Sequence, residues 1–291
     1  MIVLALFNIK GGVGKTSSAV NIAHLSAREG ARTLLWDLDP QGAASYCFRI
    51  RPKVKGGVGK LVAGERELDG LIRGSDYEHL DVLPADFSYR DLDVALSKFG
   101  DEHDRLARLI RPLARDYDHL ILDCPPSISQ LSENVFTAAD VLLTPTIPTP
   151  LSLRTLARLM KHMKKRSPDE RPMVLPFFSM VDRRKTLHRQ TCAYAREHSL
   201  GFLETEIPYS SAVEQMGTRR APLSAFAAGE RSGRAFAALW REVREVVSDG
   251  SAAKLPDRKQ VRRLLDEVAH LGPRDRSDEA IRRPAPEPAE G

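Results

Sequence analysis

At 291 residues the chain is long enough to bury a sizeable core, as one large α/β domain or two small ones. Aromatic residues are sparse and the apolar fraction is ordinary, the balance of a soluble globular protein, and no apolar run approaches the length of a bilayer span. A net charge of +5 is compatible with a polyanionic partner without requiring one, whereas the three scattered cysteines, Cys47, Cys124 and Cys192, argue against a disulfide framework and a cysteine-ligated metal or iron–sulfur centre. No basic segment precedes the first apolar run and no small-residue cleavage site follows it, so the expected compartment is the cytoplasm.

Residues 2–9 form an apolar run that reads as a buried strand, and residues 10–17 follow it directly as Lys-Gly-Gly-Val-Gly-Lys-Thr-Ser. This is a phosphate-binding loop. Gly11, Gly12, Val13 and Gly14 let backbone N–H groups turn inward onto phosphate oxygens, Lys15 reaches the β- and γ-phosphates of ATP, and Thr16, followed by Ser17, offers a hydroxyl to Mg²⁺. Lys10 sits at the entrance, where a generic loop of this kind needs no charge. A lysine there can reach a nucleotide held by a second copy, which predicts a homodimer with ATP at its interface.

A helix over 15–29 carries Ala19, Ile22, Ala23 and Leu25 on its apolar face, with Gly30 as a C-cap. Further strands are predicted at 33–38, 80–83, 119–122, 141–144 and 173–180, the last irregular or edge-like because of Pro176. Helices are predicted at 102–111, 151–165, 186–197 and 231–247, where Phe236, Leu239, Trp240, Val243 and Val247 recur as a core-packing stripe. This alternation predicts a doubly wound, mostly parallel sheet flanked by helices. Residues 1–250 read as one ATPase domain, 257–271 as an amphipathic helix with Pro256 as its start signal, and 272–291, rich in Pro, Arg and Glu, as disordered. Residues 55–60 repeat Lys-Gly-Gly-Val-Gly-Lys without a preceding strand and with Leu61 in place of the hydroxyl, and are expected to be a flexible basic loop.

Hydrolysis also needs carboxylates at neighbouring strand ends, and two segments supply them. Residues 37–42 read Asp-Leu-Asp-Pro-Gln-Gly; Asp37 and Asp39 are expected on one side of an extended backbone, Asp39 to orient the attacking water and Asp37 to support the Mg²⁺ shell or the loop. Residues 123–126 read Asp-Cys-Pro-Pro, where Asp123 holds Mg²⁺ through a water and the prolines stiffen a turn that could respond to the γ-phosphate. Thr16, Asp39 and Asp123 are therefore the candidate metal set. Cys124 is expected to pack rather than react.

Together, residues 10–17, 37–42 with Ser45, and 123–126 resemble a ParA-type partition ATPase, within the wider deviant Walker A group that includes MinD and the nitrogenase iron protein. The resemblance extends to about residue 247, and the Asp-Pro-Gln-Gly form of the second motif favours ParA over MinD. It implies that Lys10 contacts nucleotide across the dimer, that Asp39 is the hydrolytic carboxylate, and that Met180, Asp182, Pro208 and Tyr209 lie by the adenine. Tyr209 departs from the family's usual arginine, and the start at the first strand implies a small ParA without the N-terminal operator-binding extension. The resemblance also implies slow turnover until a ParB-like partner stimulates it.

Small ParA-like proteins hold double-stranded DNA without sequence preference, through Lys and Arg against phosphates. The candidates are Arg183, Arg184, Lys185, Arg189, Arg219, Arg220, Arg231 and Arg234, with Arg219 and Arg220 foremost. They predict a nucleoid-associated ATPase that segregates or positions a plasmid, a chromosome or a protein cargo. The alternative is a MinD-like ATPase on a membrane surface. Residues 257–271 have the period and the positive charge for that, but they carry Asp257, Asp266 and Glu267 and lack Trp and Phe. Docking of this helix on the domain, with no membrane partner, is the expectation.

Overall fold

The computed structural model describes residues 1–51, 57–64, 68–100, 103–249 and 258–270. Among them a seven-stranded sheet runs in the order β3-β4-β2-β5-β1-β6-β7, from β1 (Ile2–Leu6), β2 (Thr33–Asp37), β3 (Arg73–Gly74), β4 (Leu80–Leu83), β5 (His119–Asp123), β6 (Val141–Thr146) and β7 (Met173–Phe178). Every pairing is parallel except that of the short edge strand β3 with β4. The helices, in chain order, are α1 (Lys15–Arg28), α2 (Ala43–Cys47), α3 (Gly57–Val62), α4 (Leu92–Ser97), α5 (Arg105–Ile110), α6 (Gln130–Ala138), α7 (Pro150–Met163), α8 (Thr186–Glu197), α9 (Ser211–Arg219), α10 (Leu223–Phe226), α11 (Arg231–Ser248) and α12 (Arg258–His270).

The central strands read as unbroken apolar runs because both faces of the sheet are covered. Successive side chains of β1 enter opposite cores: Val3 and Ala5 pack with α6 and α7 through Val135, Phe136, Leu156 and Met160. Leu4 and Leu6 pack with α1 and α11 through Ile22, Ala23, Phe236, Leu239 and Trp240, so the stripe on α11 is core, as expected. Burying one such large side chain contributes roughly 1.5–3 kcal/mol, and these two layers hold the sheet rigid beneath the loops at its carboxyl edge.

Three expectations change. The first strand stops at Leu6, and residues 33–38 pair only as far as Asp37. Gly57–Val62, the second half of the repeated glycine segment, is a helix whose Leu61 and Val62 are buried in the core, so Leu61 is a packing residue there; Lys55 lies outside the described residues. The short helices α2, α4, α6, α9 and α10 are absent from the sequence reading, since four to nine residues hold too few apolar positions for a clear period. Pro176 lies in β7, which pairs only with β6 and so tolerates the missing donor.

The helix at the carboxyl end is docked. Val261 and Leu264 of α12 are fully buried, and Leu264 packs with Leu153 of α7, Phe178 of β7 and Cys192 and Ala195 of α8. Pro256 and the segment expected to be disordered, 272–291, lie outside the described residues.

Candidate active site

Parallel register brings the three motifs together. Leu6 at the end of β1 and Asp37 at the end of β2 both lie opposite Asp123 at the end of β5, so the glycine loop and both carboxylate segments emerge at one edge of the sheet. The loop turns through left-handed backbone at Gly12 and Gly14, with φ of 69° and 93°. Gly14 has a second reason to be glycine: a Cβ there would lie 2.9 Å from the Ser179 Oγ, and that hydroxyl donates to the Val13 carbonyl at 2.8 Å. Gly11 approaches Pro126, so the loop abuts the proline turn after Asp123.

Lys15 and Lys10 part company at once. Lys15 is buried, and its Nζ donates to the Lys10 carbonyl at 3.4 Å. Desolvation lowers its pKa, opposed chiefly by the nearby Asp123. Lys10 is held by its N–H to the Asn8 Oδ1 at 2.9 Å, while its Nζ donates to the Ser152 Oγ at 3.2 Å in the first turn of α7. Asn8 is itself buried and anchored to the Pro145 carbonyl. In the single chain, therefore, Lys10 rests on its own α7.

Asp123 is fully buried, and neither carboxylate oxygen has a hydrogen-bond partner among the described residues. Burial pushes its pKa well up, and Asp37 and Asp39 add to this. Thr16 and Lys15 favour the anion, although the Thr16 hydroxyl makes no regular hydrogen bond to either oxygen. A buried carboxylate left without partners, beside a hydroxyl and a lysine, fits a site completed by a hard divalent cation. Among the described residues no three His, Cys, Asp or Glu side chains converge as a metal cage, so Mg²⁺ would draw its remaining ligands from phosphate and water.

Asp37 and Asp39 do not face the phosphates together. Asp37 is fully buried and points inward: its Oδ2 accepts the Ser45 N–H at 2.8 Å and the Ser45 hydroxyl at 2.7 Å, and its Oδ1 accepts the Asp39 N–H at 3.3 Å. Burial raises its pKa to about 6. Asp37 thus clamps both ends of the loop that carries Asp39, because the strand ends at Asp37 and the extended alternation lapses there. Asp39 is half-buried, with its Oδ1 accepting the Gln41 N–H at 3.0 Å. Cys124 is buried beside the site with its thiol pKa pushed up, and packs as expected.

The segments assigned to the adenine are neighbours. Val181 bridges to Pro208, and the Tyr209 N–H donates to the Val181 carbonyl at 3.1 Å. Met180 takes a left-handed φ of 54° directly after Ser179, the residue tied to the glycine loop. Asp182 receives two bonds from the Arg184 guanidinium, which pull its carboxyl down to about 2, and Tyr209 is exposed with its hydroxyl on Glu214.

The basic candidates fall into separate groups. Arg183 pairs with Glu206, Arg184 with Asp182, and Arg189 donates to the Arg183 carbonyl, around exposed Lys185 at the start of α8. Arg231 and Arg234 open α11, with Arg234 bonded to the Gly229 carbonyl. Arg219 and Arg220 close α9, beside a cavity of about 850 Å³ lined by Thr16, Ser17, Gln41, Tyr46, Met216 and Arg220. Ser152, Ser179 and Asn8 went unread as site residues; only Asn8, a polar break within the apolar run 2–9, left a sequence signal.

Residues 1–173 match the family described as an AAA domain (AAA_31). Chromosome-partitioning ATPase Soj of Treponema pallidum is 30% identical over 254 residues, covering 85% of this chain and 98% of that protein. Soj of Thermus thermophilus is 36% identical over 198 residues, 67% of this chain and 76% of that protein. The match to the chromosome partitioning protein ParA of Myxococcus xanthus, 37% identical, spans only about half of each chain. Among solved structures, Cyanothece McdA in complex with ATP superposes with a TM-score of 0.72 at 19% identity, covering 84% of this chain and 96% of that one. Cobyrinic acid a,c-diamide synthase of Mycobacterium smegmatis, with bound ADP and magnesium, reaches a TM-score of 0.71 at 25% identity, covering 87% and 97%. McdA therefore supports the fold alone, while the sequence relatives and the glycine loop with its two strand-end aspartates agree on the family: this chain belongs to the ParA/Soj partition ATPases of the ParA/MinD group.

Proposed function

We propose that the chain is an ATP-driven dimerisation switch that holds DNA without sequence preference and so segregates or positions a cargo. The observation that carries this reading is Asp123, buried and without a hydrogen-bond partner among the described residues, near Lys15 and Thr16 at the strand end where the Asp39 loop also arrives. Lys15 would hold the β- and γ-phosphates, and Thr16 and Asp123 would hold Mg²⁺, which supplies charge neutralisation on the phosphates when bound. Asp39, half-buried and fixed by its backbone to Asp37, would orient the attacking water. Its carboxylate needs no large motion, because the Asp37 clamp already sets the loop.

Lys10 would leave Ser152 and reach the nucleotide of a second copy. Exposed Leu151 and Ile128, beside Ser152 and in the loop after the proline turn, add apolar surface at the same edge of the sheet. Turnover would be slow until a ParB-like partner completes the site, and the ATP-bound dimer would associate with the nucleoid. The MinD-like membrane reading is disfavoured because the apolar face of α12 is already spent on α7 and α8. Among the described residues no helix is long and apolar enough to cross a membrane.

The test is DNA retention with ATP, ADP and no nucleotide, run beside liposome flotation. Retention that requires ATP, without flotation, supports this reading. ATP-dependent flotation without DNA retention replaces it with the membrane one.

A further inference from the structure

Helix α2 is held through two adjacent residues. At its middle, the Ser45 N–H and hydroxyl bond to Asp37, and the Ser45 Oγ also accepts the Ala85 N–H at 2.9 Å. One residue on, the Tyr46 carbonyl accepts the Arg220 Nε at 3.2 Å, and the Arg220 guanidinium lies 4.6 Å from the Tyr46 ring centroid. The exchange is reciprocal, since Arg49, just beyond α2, donates from Nη2 to the Arg219 carbonyl at 3.5 Å. Arg49 and Arg220 both adopt left-handed backbone, with φ of 60° and 51°. Non-glycine residues persist there only where the surroundings over-determine them. Arg51 then lines the same cavity as Arg220.

We propose that Arg49 and Arg51 join Arg219 and Arg220 in one phosphate-binding surface for the DNA backbone, whose shape is set by α2. This rests on the DNA-binding reading above and extends it to residues of the amino-terminal half. Arg49, Arg51 and Arg219 are exposed, and Arg220 is half-buried against Tyr46. Among the described residues the one acid engaged is Asp76, paired with Arg49 at 3.3 Å, and both partners are more than half exposed. Such a pair is worth little in water, so a phosphate competes with it readily. Guanidinium forks suit phosphate oxygens, and Arg220 commits only its Nε to Tyr46 among the described residues. The Asp37–Ser45 clamp links this surface to the Asp39 loop, so a ligand that shifts that loop shifts Tyr46 and with it two of the four arginines.

The experiment uses the full chain, ATP and Mg²⁺, and a random-sequence duplex. Arg49→Ala with Arg51→Ala is expected to weaken retention about tenfold and to lower the slope of log affinity against log salt by about 1.8, at roughly 0.9 per lost phosphate contact. ATP-driven dimerisation should persist. Arg111→Ala with Arg115→Ala, at the opposite edge of the sheet, removes the same charge and should leave retention within about twofold. Unchanged retention in the first variant, while Arg219→Ala with Arg220→Ala loses it, overturns the extended surface and leaves the DNA reading intact. Equal losses in the first variant and the charge control overturn it as well. Should the first variant fail to dimerise, Arg51→Ala alone decides: a loss of about threefold or more supports the surface, and no loss overturns it. A wild-type chain that retains no DNA with ATP sinks the function reading itself.

Discussion

Lys10 and Ser152, 142 residues apart in sequence, meet at 3.2 Å where the glycine loop faces the first turn of α7. A helix start carries partial positive charge, so an ammonium there is held by one hydroxyl against an unfavourable dipole. That makes it a weak resting place, from which a triphosphate can draw the lysine. Lys10→Ala is expected to retain ATP binding and lose ATP-driven dimerisation, read by sedimentation. Ser152→Ala should lower the ATP concentration needed for dimerisation by about two- to fivefold, the worth of one modest hydrogen bond. A Lys10→Ala chain that dimerises normally with ATP contradicts the assignment.

Asp39 and Asp123 should separate cleanly in kinetics. Asp39→Ala is expected to dimerise with ATP and stay on DNA while phosphate release falls about a hundredfold or more. Asp123→Asn should instead raise the Mg²⁺ concentration for half-maximal turnover by about tenfold, since the buried acceptor loses its charge. Normal phosphate release from Asp39→Ala would remove it from the chemistry.

Among the described residues the Lys15 ammonium has no comparable alternative partner, only the Lys10 carbonyl at 3.4 Å. Lys15→Ala should abolish tight ATP·Mg²⁺ binding, measured by calorimetry. Retained tight binding would dissolve the phosphate-site assignment.

His24 gives a pH prediction. It is buried in α1, bonded to the Ser224 hydroxyl at 2.7 Å and edge-on to Tyr77, and desolvation lowers its pKa to about 4. The unfolded chain protonates this residue near 6.5 and the folded chain resists until about 4. Its contribution is therefore fully present above 6.5 and is lost as pH falls from 6.5 towards 4, by about 3 kcal/mol in all. Thermal melts across that window should show a steeper acid-side fall in the wild type than in His24→Gln. Parallel curves would show that His24 charges freely in the fold.

Leu264 is fully buried between α12 and the α7–α8 surface. Leu264→Ala should cost about 2–5 kcal/mol of the docking energy of α12 and render it sensitive to limited proteolysis. Unaltered cleavage would mean that α12 is held by other contacts.

Much of the candidate site was legible because its chemistry is local. A glycine loop after an apolar run needs only eight consecutive residues, and Asp39 and Asp123 announce themselves as acids at the ends of apolar runs. What failed was local geometry where a strand gives out: alternation puts Asp37 on the same side as Asp39, but β2 ends there and Ser45 claims its carboxylate, so Asp37 supports the loop and does not face the phosphates. The repeat at 55–60 failed in the opposite sense, since Gly57–Val62 fold as a helix whose apolar end joins the core, where burial outweighs glycine's poor propensity.

The parallel α/β architecture, the family and the candidate phosphate loop with its nearby carboxylates are legible in the chain, because each is written in contiguous residues or in their period. Packing is what closes Ser179 over Gly14, rests Lys10 on Ser152 and brings Arg49 to Arg219. Those contacts join residues more than 140 positions apart, and the sheet register that brings them together is a property of the packed whole rather than of any segment.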